Sequence, residues 1–339
     1  MKLLFILKER FYSSSKSSYG LINSSLHLIK YLEQFNTECK VTTVIDYNSI
    51  DKEVFDFKPD IVIIEALWVS AEKLKELSSI KRYENIKWIV RVHSDMGFLS
   101  SETLAVKYIN DYIELNNDNI IVSLNNKKFV EHLSDSMNYN FLYLPNIINI
   151  KDKNYEKSIE TNIINIGCFG SLRLLKNQCF QAMCAIKAAN KLNKILKFHI
   201  TADIDADADK NPVLKNLKEL FKNTKHELIV HSWLENEDFH KLIKQMDLGL
   251  QISYTETFNI VTADFINNDK LIVVGETIDW IPSILKTSTI DYKKAMNKII
   301  FAYKYRNSGF IKSLMRKNLD KYNKIAEKEW IKLIINDII

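Results

Sequence analysis

Glycine and proline are both scarce in this chain, with seven and four residues among 339. The missing glycines exclude two common nucleotide sites. No G-x-G-x-x-G occurs, so a nicotinamide dinucleotide is not indicated, and no G-x-x-x-x-G-K-[ST] occurs, so the chain is not a P-loop NTPase. Cysteine is sparse as well: Cys39, Cys168, Cys179 and Cys184 form no C-x-x-C pair and have no histidine at zinc-finger spacing. They read as buried thiols of a chain kept in a reducing, cytoplasmic compartment. Long apolar runs are absent too. The richest segment, DIVIIEALWV, is interrupted by Glu65 and falls far short of the ~20 residues of a membrane helix. The opening MKLLFIL meets Lys8, Glu9 and Arg10 too soon for a secretory leader and reads as a first buried strand. Charge of one sign is weak. A net +5 permits an anionic ligand but falls short of the basic stripe of a nucleic-acid binder.

Catalytic signatures of other chemistries are missing. There is no G-x-S-x-G nucleophile elbow and no H-E-x-x-H pair. Asp203, Asp205, Asp207 and Asp209 alternate as in a calcium loop, but the sixth and twelfth positions hold Ala208 and Leu214 in place of glycine and glutamate. The run reads as a polar loop, and neither a metal nor a bound cofactor is expected.

What the chain does have is 46% hydrophobic and 26% charged residues, the balance of a soluble globular protein with room for two domains. Short apolar runs alternate with amphipathic helix-length segments, the pattern of α/β folds with parallel sheets. Strands are expected at residues 2–7, 40–45, 60–65, 87–92, 119–123 and 141–144, with a helix at 20–34. Leu144-Pro145-Asn146 and the charge-rich stretch 151–161 then read as a linker. The pattern restarts with strands at 163–169, 196–201, 227–231, 248–252 and 271–274, and the last ~50 residues read as helical. Two Rossmann-like halves would face a cleft with their strand ends, where open α/β sheets bind ligands. Lys312, Arg316, Lys317, Lys321, Lys324 and Lys328 read as a solvated helix face.

Several residues at expected strand ends carry chemistry. Gly170 closes the first strand of the second half and is followed by Ser171, Arg173 and Lys176. Cations at a loop entering a helix can hold a diphosphate, and the plain alternative is a helix start with solvated cations. Further on, Glu256 and Asp264 stand eight positions apart, a little over two helical turns, with Thr257, Phe258 and Asn259 where the helix should begin. Free N–H groups there would face a phosphate, with a carboxylate on either side for hydroxylated groups. Two solvated acids on an ordinary helix would give the same spacing. In the first half, the Ser-rich loop 10–19 precedes Gly20, and His93 ends a strand.

These residues resemble a known family. Four blocks, IGCFGSLRLLKNQ, HSWLENEDFHKLIKQMDLGLQIS, ETFNIVTAD and LIVVGETIDW, follow in order the nucleotide-sugar half of retaining GT-B glycosyltransferases of the Glu-x7-Glu, family-4-like type. The first half (FILKERFYSSSKSSYGLINSS, DIVIIEALWV, WIVRVHSDMGFLSSE, YLPN) looks like a phage- and bacterium-encoded branch of that group. The resemblance implies a GT-B fold: an N-terminal domain at 1–150, a nucleotide-sugar domain at 160–310, and C-terminal helices at 311–339 packing back towards the first. It implies a hexosyl- or pentosyltransferase acting with retention on a nucleotide-sugar donor, needing no metal.

Position by position, the family's phosphate-binding lysine falls on Lys176, with Arg173 in support because Ser171 stands where the family often has arginine. Glu256 falls near the donor sugar, and Asp264 takes the place of a glutamate that holds the ribose. His93 matches a donor-sugar contact. Gly20, Gly170, Ser171, Trp233, Ser253, Thr257, Phe258 and Asn259 complete the implied donor site. The acceptor stays open between a hydroxylated DNA base, a polysaccharide and a protein, as does the oligomeric state. Two alternatives stand beside this reading: a non-catalytic protein that only binds a sugar nucleotide or nucleic acid, and a sugar-nucleotide epimerase using His93 and Asp95.

Overall fold

The computed structural model describes residues 1–9, 19–102, 104–152, 159–202 and 210–335. Most of the Ser-rich loop and the Asp203–Asp209 run lie outside the described residues. The described residues divide into two compact units: 1–9, 19–149 and 323–335 form one, and those between 150 and 322 the other.

The first unit is built on strands β1 (Lys2–Lys8), β2 (Glu38–Val44), β3 (Ile61–Glu65), β4 (Lys87–Val92), β5 (Ile120–Leu124) and β6 (Leu142–Tyr143). Its helices are α1 (Tyr19–Leu32), α2 (Ile50–Phe57), α3 (Ala71–Ser78), α4 (Met96–Leu99), α5 (Ala105–Glu114) and α6 (Lys127–Met137). The sheet is parallel throughout, in the order β2-β1-β3-β4-β5-β6. Leu3–Ile6 and Ile61–Ile64 are buried because helices cover both faces, which is why these strands read as continuous apolar runs. Glu65 at the end of β3 is buried too, and Arg91 of the neighbouring strand explains it: their side chains pair at 3.0 Å with neither exposed.

The second unit has strands β7 (Ile163–Gly167), β8 (Ile195–Thr201), β9 (Glu227–His231), β10 (Leu248–Gln251), β11 (Leu271–Gly275) and β12 (Lys286–Thr287). Helices α7 (Gln178–Lys191), α8 (Pro212–Lys222), α9 (Asn236–Lys244), α10 (Ile260–Asn267) and α11 (Tyr292–Lys304) lie between and after them. The order β12-β11-β10-β7-β8-β9, again all parallel, is that of a doubly wound nucleotide-binding fold. The chain winds outward from β7 to β9, then returns to start again at β10 on the other side of β7. That reversal makes a crevice beyond the carboxyl ends of β7 and β10. Gly249 lets α10 settle onto the sheet there, because a Cβ at that position would lie 2.7 Å from the Phe265 ring.

The last helix, α12 (Gly309–Ile335), begins in the second unit and ends in the first. Its C-terminal part is bound to the first sheet: Trp330 is fully buried, lies 6.2 Å from the Phe5 ring and donates from Nε1 to the Pro145 carbonyl at 2.8 Å. One sequence expectation is corrected here. Lys317, Lys321, Lys324 and Lys328 are solvated, but Lys312 and Arg316 are buried, and Arg316 Nε donates to Asp269 Oδ1 at 2.9 Å. A carboxylate on a neighbouring segment, invisible to helix periodicity, draws the guanidinium inward. Among the described residues no helix is long and apolar enough to cross a membrane.

Candidate donor site at the carboxyl ends of β7 and β10

The loop leaving β7 turns at Gly170, whose φ of +114° suits glycine and whose amide donates to Thr201 Oγ1 at 3.0 Å. Ser171 is half-buried, and Arg173 is exposed on an extended backbone leading into one tight turn, Leu174–Lys176. Asn177 ends that turn in the left-handed region, φ 58°, and its side-chain amide donates to the carbonyls of Ile252 (3.2 Å) and Thr289 (2.9 Å). Gln181 adds a second tie, donating to the Lys176 carbonyl at 2.7 Å and accepting from the Ile252 amide at 2.9 Å. Tyr254 N donates to the Leu175 carbonyl at 3.0 Å. Three of these hydrogen bonds pin the loop after β7 and the start of α7 to the segment that continues β10.

This bolting decides where Lys176 points. Its Nζ lies 2.6 Å from Glu256 Oε1, across 80 positions of sequence. Glu256 is 6% exposed. The charge-assisted hydrogen bond to this carboxylate holds the Lys176 ammonium in place.

The helix after Glu256 begins later than the sequence suggests. The first helical residue is Ile260, and Asn259 precedes it in the left-handed region at φ 63° and ψ 86°. Its Oδ1 accepts from Thr262 N at 2.9 Å, which makes Asn259 the N-cap. Its Nδ2 donates to Gln251 Oε1 at 2.7 Å, and Gln251 Nε2 donates to the Phe169 carbonyl at 2.8 Å. One amide chain therefore couples the helix start, the end of β10 and the loop after β7. The expectation of a helix start at Thr257–Asn259 is corrected accordingly, and Glu256 is not the cap.

The Phe258 ring is 1% exposed and stacks on Trp280 at 5.1 Å, with Tyr322 at 5.0 Å, so its side chain packs the core and only its backbone is available to a ligand. Thr257 and Trp233 are half-buried, the latter in the connection from β9 to α9. Ser253 is 1% exposed, and its Oγ has no hydrogen-bond partner among the described residues.

Asp264 lies one turn into α10 and is 6% exposed. Its carboxylate has no hydrogen bond among the described residues; His240 Nε2 on α9 lies 3.9 Å from its Oδ1. Burial pushes the carboxyl up to about 7, against the pull of Lys151. A buried carboxylate without donors is costly, and such groups concentrate at sites whose ligand completes them.

Two expected residues belong to the first unit. Gly20 is exposed and sits inside α1, not in a loop. His93 follows β4, and its Nε2 hydrogen-bonds Glu65 Oε2 while Asn125 Nδ2 reaches its Nδ1 at 3.4 Å. Burial alone would raise the Glu65 carboxyl, but Arg91 and His93 outweigh it and hold it at about 2. Burial in turn lowers His93 against the pull of Glu65.

Asn177, Gln181, Gln251 and His240 were not singled out from sequence. Gln251 does carry a signal, as an amide at a buried position of an otherwise apolar strand (LGLQ). Asn177 and Gln181 carry none, since their partners lie more than 70 positions away.

No family model and no curated protein matches this chain. Solved structures do. OtsA, a trehalose-6-phosphate synthase, superposes with a TM-score of 0.68 at 10% identity over 98% of both chains. The fold is GT-B. The N-terminal domain of trehalose-6-phosphate phosphatase from Candida albicans matches at 0.66 and 10% identity, over 100% of this chain and 97% of that one. A TarM variant from S. aureus, solved with UDP, matches at 0.63 and 14% identity, over 84% of this chain and 58% of that one. At such identities the likeness establishes the GT-B architecture alone.

Proposed function

We propose that this chain is a glycosyltransferase that binds a nucleotide-sugar on its second unit and moves the sugar, with retention, to an acceptor hydroxyl. One observation carries the reading: a lysine and a buried carboxylate meet at the reversal point of a doubly wound sheet, and a second buried carboxylate, one turn into α10, has no hydrogen-bond partner among the described residues. Lys176, with Arg173 beside it, faces the diphosphate. Glu256 accepts from hydroxyls of the transferred sugar, where positive charge grows as the anomeric bond breaks. Asp264 accepts from the ribose. The TarM complex with UDP and the synthase complex with UDP-2-fluoro glucose support a nucleotide-sugar as the ligand class for this fold.

The chemistry needs few groups. The bond from the anomeric carbon to the diphosphate oxygen breaks, a bond to the acceptor oxygen forms on the same face, and the acceptor proton passes to the departing phosphate. Preorganised positive charge on that phosphate is commonly the largest catalytic contribution. Lys176, fixed by Glu256 and by a loop tied to the β10 segment by three hydrogen bonds, supplies it without reorganising. The acceptor is a hydroxylated DNA base, a polysaccharide or a protein.

The C. albicans phosphatase domain has the same fold under a different activity, which favours a second reading in which the chain binds a sugar nucleotide without transfer. Nucleoside diphosphate release separates the two when the chain is incubated with a panel of nucleotide-sugars, with and without acceptors. Transfer predicts release that falls roughly 100- to 1000-fold in Lys176→Ala. It also predicts that Glu256→Gln loses most turnover while still binding the bare nucleoside diphosphate. Binding without release from any donor supports the second reading, and release unchanged in folded Lys176→Ala removes that lysine from the site.

A further inference from the structure

The stretch KTSTIDYKKAMNKIIF, from Lys286 to Phe301, carries lysines at 286, 293, 294 and 298 and a single aspartate. Lys294, Lys298 and Phe301 are spaced four and three apart, so they share one face of α11, and Lys286 stands on the edge strand β12 that precedes it. Between strand and helix lies an open hollow of about 430 Å³, the size of a small-molecule site. The three lysines line it together with Thr287, Ser288 and Phe301, and none of the residues assigned to the donor does. Exposed Glu276 is the one acid among the lining residues.

We infer that this hollow binds a phosphate monoester, a ligand separate from the nucleotide-sugar. Its polar groups are set to donate. Lys298 Nζ is held by the Ile284 carbonyl at 2.8 Å, and burial lowers its pKa with no carboxylate among the described residues to counter the shift. Lys286 Nζ is held in the same way by the Asp279 carbonyl at 2.8 Å. Lys294 is 75% exposed, with Asp291 Oδ2 3.7 Å from its Nζ. Ser288 Oγ accepts from the amides of Ile290 at 3.3 Å and Asp291 at 3.1 Å, which occupies both lone pairs and leaves its proton to give. Thr287 is 5% exposed, and its Oγ1 has no hydrogen-bond partner among the described residues. Such a hydroxyl is costly to bury until a ligand satisfies it. Several donors around one hollow call for a ligand with several acceptors. A phosphate monoester presents three such oxygens and nearly two negative charges, more than a carboxylate offers. The Phe301 ring, 5.7 Å from Lys298 Nζ, gives the organic part of the ester an apolar wall.

The test is calorimetric titration with inorganic phosphate, with phenyl phosphate, and with phosphatidylcholine vesicles containing phosphatidate. The first two present the group in solution and the third on a lipid. Wild type should bind phenyl phosphate saturably and more tightly than inorganic phosphate, and Lys176→Ala, altered at the proposed donor site, should bind it equally well. Lys298→Gln should weaken binding about tenfold to a hundredfold. Thr287→Val, which keeps the shape without the hydroxyl, should weaken it several-fold. Lys294→Gln changes an exposed side chain and carries the same test if Lys298→Gln does not fold. Binding of the vesicles alone, weakened by the same substitutions, assigns the phosphate to a lipid headgroup. Binding unchanged in folded Lys298→Gln and Lys294→Gln, or abolished in Lys176→Ala, overturns the site. Absence of binding by all three probes overturns it as well. None of these outcomes depends on sugar transfer, so the site can fail while the donor reading stands.

Discussion

Asp264 is a single side chain whose burial works against the stability of the fold. Its carboxyl is raised to about 7 by burial, whereas an unfolded aspartate titrates near 3.8. The folded chain therefore binds the extra proton between those values, so stability falls as pH rises from about 3.8 to about 7 and is level above that. Asp264→Asn removes the penalty. The variant should match wild type near pH 4 and be more stable by a few kcal/mol at pH 8 in denaturant unfolding, while its affinity for a nucleoside diphosphate falls by about 1.5–3 kcal/mol. A residue with only a packing role would lose stability on substitution and leave affinity alone. Stability that does not change with pH relative to wild type would show that the carboxylate is compensated in the apo protein.

At the scale of elements, α10 depends on the residue before it. Asn259 holds a left-handed conformation, caps Thr262 N and bonds Gln251, three tasks that asparagine can combine. Asn259→Ala should lose about 1 kcal/mol for the cap and a further ~1–2 kcal/mol for the backbone conformation. Asn259→Gly should lose less, because glycine accepts the positive φ. Equal unfolding midpoints for the two variants would mean that the conformation contributes nothing.

The same element marks how far sequence reading reaches. β9 was expected at residues 227–231, where it lies, and the buried parallel strands were legible because apolar runs bounded by polar segments leave little choice. The start of α10 was misplaced, because a single left-handed residue is stabilised by Gln251 and not by its neighbours in sequence. β12, two residues long, carries no apolar run to reveal it. The closeness of Lys176 and Glu256 was suggested by resemblance alone, since spacing says nothing about residues 80 positions apart. His240 was hidden on a face that periodicity assigns to the core.

At the scale of the whole molecule, the chain has a GT-B fold, and the proposed function puts the donor on its second unit. The architecture is established by the two parallel sheets and the superpositions, whereas the ligand is argued from three side chains. The measurement that tests this most directly is thermal unfolding of the chain against a panel of uridine, guanosine, adenosine and cytidine diphosphate sugars. At ~100 times its dissociation constant a bound donor stabilises the folded state by about 2.7 kcal/mol. The account predicts that at least one nucleotide-sugar raises the melting temperature of the wild type, and that the rise shrinks in Lys176→Ala and in Asp264→Asn. No shift with any donor, or a shift of equal size in both variants, would contradict it.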